Sequence, residues 1–280
     1  MSAYSSTLAP IRRLPSEILR TVFREVQISL WWNTEDSESD SESESEDYQM
    51  LAFSRGPWKL SHARRAWRDI VLSYPQLWLR IVLRFGASPT ETLRHTTYAL
   101  QAMILRSTQH PLDVVFELED DENEDAAIQA FPVLLEESCR WRSATLKPSL
   151  TLLEQLKVVR GKIPWLESLT TNTTHILKYN NKKLPEDVRN AFIDAPRLRK
   201  VALRHTYGLG DFIFPLHITH LATYMGNVSN LEAYRSLIEC HFAETTLLLK
   251  NSFLAPSTFP MSDASLYHHR IYFRICAYLP

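Results

Sequence analysis

The chain has 280 residues, 45% hydrophobic and 22% charged, with a formal net charge of -1, which is globular composition for one large or two small domains. No window approaches the ~20 apolar residues that a membrane helix needs, and the start MSAYSSTLAP has no apolar signal core. Cys139, Cys240 and Cys276 are odd in number and far apart, which argues against a disulfide frame or a zinc site and fits a reducing compartment, cytoplasmic or nuclear.

Residues 1–10 read as a flexible tail. LPSEILRTVF at Leu14–Phe23 then opens an amphipathic helix. Pro15 suits a first helical position, where its missing N–H costs nothing, and Glu17 suits the first turn. Leu14, Ile18, Leu19, Val22 and Val26 recur at helical spacing as one apolar stripe, with Arg20 and Arg24 as polar surface. An insert follows at about residues 27–56. Its run Glu35–Asp47 holds eight acids, five serines and no base, so it has nothing to bury and is expected to be disordered. Serines followed by acids also suit acidophilic kinases. PWKLSHARRAWRDIVLSYPQLW at Pro57–Trp78 is expected to be a second helix, with Trp58, Leu60, Ala63, Trp67, Ile70 and Val71 apolar and Pro75 ending it.

The order Leu-Pro-x-Glu-Ile-Leu, a Trp-Arg pair, then Pro-x-Leu-Trp resembles the F-box proteins abundant in basidiomycete fungi. These tolerate an insert between the halves and continue with a run like RSTQHPLDVVF at Arg106–Phe116. The pattern departs at Ala63-Arg64-Arg65, where Val-Cys-Arg is usual. The resemblance implies a helical F-box over residues 11–84 that docks on a Skp-type adaptor and, through it, a cullin. The matching positions for adaptor binding are Leu14, Pro15, Ile18, Leu19, Val22, Leu60, Trp67 and Trp78, with Trp67 also a candidate for the module's own core.

Residues 85–137 read as a connecting helix, strand and helix, the strand being PLDVVFEL at Pro111–Leu118. Over 138–252 a loose repeat is expected. Strand candidates are Trp141–Leu146, Pro164–Leu169, Pro196–Leu203, Ile218–Tyr224 and Glu244–Leu249, with helical patterns at Leu152–Val159, Pro185–Ile193 and Leu231–Cys240 between them. Leucines 146, 169, 203, 221 and 247 lie 23, 34, 18 and 26 residues apart, an irregular form of the ~20–29-residue leucine-rich repeat. The expected fold is therefore mixed α/β: a small helical F-box followed by an irregular leucine-rich-repeat-like solenoid. An irregular α/β domain is the alternative. Residues 253–280 form an apolar, aromatic tail rather than the polar cap a solenoid needs, so the end is expected to be altered or truncated.

Arg140–Arg204 carries fourteen Lys or Arg and five Asp or Glu. No P-loop, GxGxxG, GxSxG or HExxH is present, and no RNA- or DNA-binding motif. No cofactor, metal, nucleic-acid or membrane partner is expected. The reading is a non-enzymatic receptor that presents an unknown protein substrate to a ubiquitin ligase; the alternative is an adaptor-independent interaction scaffold with a decayed F-box.

Overall fold

In a computed structural model of the chain, the described residues are 14–35, 56–85, 93–118, 124–172, 184–204, 212–215, 217–225, 244–251 and 269–276. The tail at 1–10, the acidic run beyond Glu35, the segment 119–123 and the helix expected at Leu231–Cys240 lie outside them.

Helix α1 runs from Ser16 to Glu35. Pro15 stands just before it, and its carbonyl accepts the first bond from Leu19 N–H at 3.0 Å. The insert therefore does not begin at residue 27. Gln27 is buried in the helix and donates Nε2–H to the Leu77 carbonyl at 2.8 Å. The single second helix expected from Trp58 onward is two helices, α2 (Gly56–Ala63) and α3 (Arg65–Leu72), broken at Arg64, whose φ of -159° and ψ of 152° are extended. Arg68 Nε–H donates to the Ser61 carbonyl at 3.0 Å, so a carbonyl freed at the break finds a side-chain donor. Pro75 opens a short 3-10 turn, Pro75–Trp78, rather than closing a helix.

From Arg80 onward the chain alternates strand and helix. The strands are β1 (Arg80–Phe85), β2 (Leu112–Leu118), β3 (Trp141–Lys147), β4 (Ser168–Asn172), β5 (Lys200–Arg204), β6 (His220–Met225), β7 (Glu244–Asn251) and β8 (His269–Cys276). Between them lie α4 (Leu93–Arg106), α5 (Glu124–Glu136), α6 (Leu150–Leu153) with a 3-10 extension over Glu154–Val159, and α7 (Glu186–Arg189). All eight strands form one sheet in sequence order, β1 to β7 parallel and β8 antiparallel to β7. β1 pairs with β2, so residues 80–84 belong to the sheet and not to the helical module. Part of the tail, β8, pairs along β7.

The sequential strand order dictates where the helices go. Parallel crossovers are right-handed as a rule, and this chain always steps the same way along the sheet, so successive helices are expected on one face. The burial pattern agrees: β1 to β4 alternate strictly between buried and half-exposed residues beyond the first turn of β3, unlike a parallel sheet covered on both faces. The covered face carries two ladders. Ile81, Val114, Ala144, Leu169, Val201 and Leu221 stand opposite one another strand by strand, and Leu83, Phe116, Leu146, Thr171 and Leu203 form the next. All eleven are buried, and all but Thr171 share one hydrophobic core with residues of α4, α5, α6 and α7. Leu169, Leu203 and Leu221 thus share that core, but Leu146 and Leu203 sit one inward position beyond Leu169 and Leu221. The equivalent residues are Ala144 and Val201.

Phe116 anchors the first half of the core against Phe85 (centroids 5.3 Å apart) and Phe131 (4.5 Å). Phe192 does the same farther on, with Phe212 at 5.3 Å. The α4–β2 turn is fixed by buried Arg140, which donates to the His110 carbonyl, to Ser107 Oγ at 2.6 Å and to Glu137 at 2.8 Å. Within that turn Thr108 takes φ 53°, a left-handed conformation that a β-branched residue adopts only under constraint. Thr171 is the misfit of the ladder: its hydroxyl is buried with no hydrogen-bond partner among the described residues. Thr171→Val keeps the shape and β-branching and removes the unpaired group, so it is expected to stabilise the protein by about 1 kcal/mol in urea unfolding. A loss of stability would mean that the hydroxyl is paired.

Candidate functional site

Two surfaces stand out, one on α1 and one on the sheet. In a helix, residues four apart share a face while neighbours are turned by ~100°. The apolar residues of α1 therefore form two stripes rather than one. Leu19 and Phe23 point inward with Gln27, and Phe23 meets Trp67 edge-on at 5.1 Å. Leu14, Ile18 and Val26 point outward, 37%, 48% and 43% exposed, with Val22 between them half-buried. A folded helix normally turns its apolar stripe to the core. Here that task is done by the Leu19 stripe, and a second run of large aliphatics is left facing solvent.

The structure divides the expected adaptor-binding residues accordingly. Leu14, Pro15 and Ile18 are exposed, and Val22 is half-buried beside them. Leu19 is 5% exposed and Trp78 is fully buried, so both are core residues and have no surface with which to touch a partner. Trp67 and Leu60 are partly buried against that core, Trp67 through Phe23. Exposed Leu72 at the end of α3 is a large aliphatic that sequence reasoning left out; helical spacing alone gave no signal for it.

Trp78 joins the helical module to the sheet. Its Nε1–H donates to the Val71 carbonyl at 2.9 Å, and its ring meets Trp58 edge-on at 5.0 Å. Arg106, the last residue of α4, lays its guanidinium over both rings, 4.6 Å from Trp58 and 4.5 Å from Trp78. Burial holds the Arg106 pKa below its ordinary value.

The second surface is the uncovered face of the sheet. Its middle row is Val82, Val115, Thr145, Thr170, Ala202 and Ala222, all short or β-branched and half-exposed. Charged residues flank that row. Arg84 Nε–H donates to Glu117 at 2.7 Å, and Arg142 makes a bidentate pair with Asp113, Nε to Oδ1 at 3.0 Å. The Arg142 pKa is raised by its hydrogen bond to Asp113.

Among the described residues no group of three or more His, Cys, Asp or Glu is placed to hold a metal ion, and no helix is long and apolar enough to cross a membrane. No known protein family matches the chain, and no curated protein matches it.

Proposed function

We propose that the protein is a non-enzymatic substrate receptor of a cullin-type ubiquitin ligase. Helices α1 to α3 act as an F-box that docks on a Skp-type adaptor. The strand–helix units act as an irregular leucine-rich-repeat-like solenoid whose uncovered sheet face holds a protein substrate. The observation that carries the reading is the outer stripe of α1. Leu14, just before the helix, and Ile18 and Val26 on it are exposed while the neighbouring stripe already fills the core, and clustered exposed aliphatics of this kind mark an interface. The place of Leu14 and Ile18 in the Leu-Pro-x-Glu-Ile-Leu pattern supports the adaptor as the partner.

The chain does no bond chemistry in this reading. Held on both sides, adaptor and substrate are brought to high effective concentration relative to the ubiquitin-charged enzyme. The Arg106–Trp58–Trp78 stack supports the reading, because a receptor must hold its docking module at a fixed angle to its substrate surface. The test is binding of the purified full chain to a purified fungal Skp-type adaptor, by calorimetry and co-elution. Formation of a complex is the expected result. A folded chain that ignores the adaptor would leave the scaffold with a decayed docking face as the better description.

A further inference from the structure

The uncovered sheet face has a charge sign of its own. Arg80, Arg84, Arg142, Lys147 and Lys200 project from it or its rim, against Asp113, Glu117 and, near Arg142, Glu167. Asp113 and Glu117 are already bonded to arginines. Among the described residues, Lys147 and Lys200 have no carboxylate partner.

We infer that this face binds an extended acidic segment of a partner protein. This deepens the receptor reading and rests on it, since it names the class of substrate. The geometry fits a polypeptide. Lys147 on β3 and Lys200 on β5 are two strands apart, ~10 Å across the sheet, and lie on opposite sides of the short middle row. Alternate side chains of an extended segment repeat every ~7 Å, so carboxylates of one segment reach both lysines while its backbone crosses Thr145, Thr170 and Ala202. A single-stranded nucleic acid fits less well. It binds by stacking its bases on aromatic rings, and the middle row of this face, Val82 to Ala222, holds none.

The experiment measures fluorescence anisotropy of a labelled peptide alternating serine and glutamate, added to the full chain. Binding that weakens as salt rises is expected. K147E with K200E should lower the affinity at least about tenfold, while K157E with K162E, on the helix side, should leave it unchanged. Thermal unfolding followed by circular dichroism confirms that each variant is folded. Equal binding of a serine–lysine peptide, or no effect of K147E/K200E, overturns the inference. Tighter binding of an oligothymidine overturns it in favour of nucleic acid. Peptide binding that emerges only after deletion of Glu35–Asp47 overturns it in favour of the chain's own acidic run as occupant. Adaptor binding is measured on the same samples. Lost peptide binding with adaptor binding intact sinks only the acidic-substrate inference. Lost adaptor binding with peptide binding intact sinks only the receptor reading.

Discussion

Replacing Leu14 and Ile18 together by alanine is expected to weaken binding to a Skp-type adaptor on the order of a hundredfold while leaving the fold intact. Both side chains are exposed, at 37% and 48%, and neither belongs to the core that α1 shares with α2, α3 and the sheet. Alanine is the best helix former, so α1 loses nothing in propensity, and surface changes of this kind stay within about 0.5 kcal/mol of wild-type stability. At the centre of a protein interface, two truncated anchors together remove about 2–4 kcal/mol, and every 1.4 kcal/mol is a factor of ten. Calorimetric titration of adaptor into wild type and variant reads the difference, with urea unfolding as the control for folding. The contrast is Leu19→Ala, one position along, which removes a core side chain and should lower stability by about 2–5 kcal/mol. Unchanged adaptor affinity in the folded double variant would show that the exposed stripe is not the docking face.

Trp78→Ala is expected to be the most destabilising substitution in the helical module, at about 3–5 kcal/mol by urea unfolding. The indole is fully buried and stands where α3, the 3-10 turn and the end of α4 meet. Its loss opens a cavity, leaves the Val71 carbonyl with only the longer bond from Tyr74 N–H at 3.4 Å and takes one of two rings from beneath Arg106. Trp78→Phe separates these effects. It keeps an aromatic ring but removes the N–H, and should cost about 0.5–1.5 kcal/mol, the net worth of one hydrogen bond, since Tyr74 N–H still reaches the Val71 carbonyl. An alanine variant within 1 kcal/mol of wild type would mean that Trp78 does not hold the module to the sheet. Trp78→Ala should also bind the adaptor weakly, through loss of the folded module, whereas the Leu14/Ile18 variant loses binding while folded.

Strand and helix identity was readable wherever a local pattern sufficed. PLDVVFEL is rich in β-branched residues and became β2, offset by one residue at its start. WRSATL became β3, and the helical spacing of LPSEILRTVF became α1. The break at Arg64 was not readable, because no Gly or Pro marks it. It is accommodated by Arg68, which reaches back from α3 to donate to the Ser61 carbonyl near the end of α2. Pro164 and Trp165, read as the start of a strand, lie in the turn before β4, and the strand itself begins at Ser168.

The candidate site divides the same way. By itself the sequence determined that Leu14, Ile18, Leu19, Val22 and Val26 are apolar on one helix, and that the chain alternates short strands with short helices. Only the tertiary structure decided that Leu19 and Phe23 go inward while Leu14, Ile18 and Val26 stay out, because both stripes have the same helical period and packing alone chooses between them. It likewise placed polar Gln27 in the core, where the Leu77 carbonyl accepts its amide. Along the sheet, Leu146 and Leu203 looked equivalent to Leu169, yet Ala144 and Val201 are its true neighbours. Strand side chains repeat every two residues, so a shift of two preserves the pattern and leaves the register to be set by the hydrogen bonds between strands.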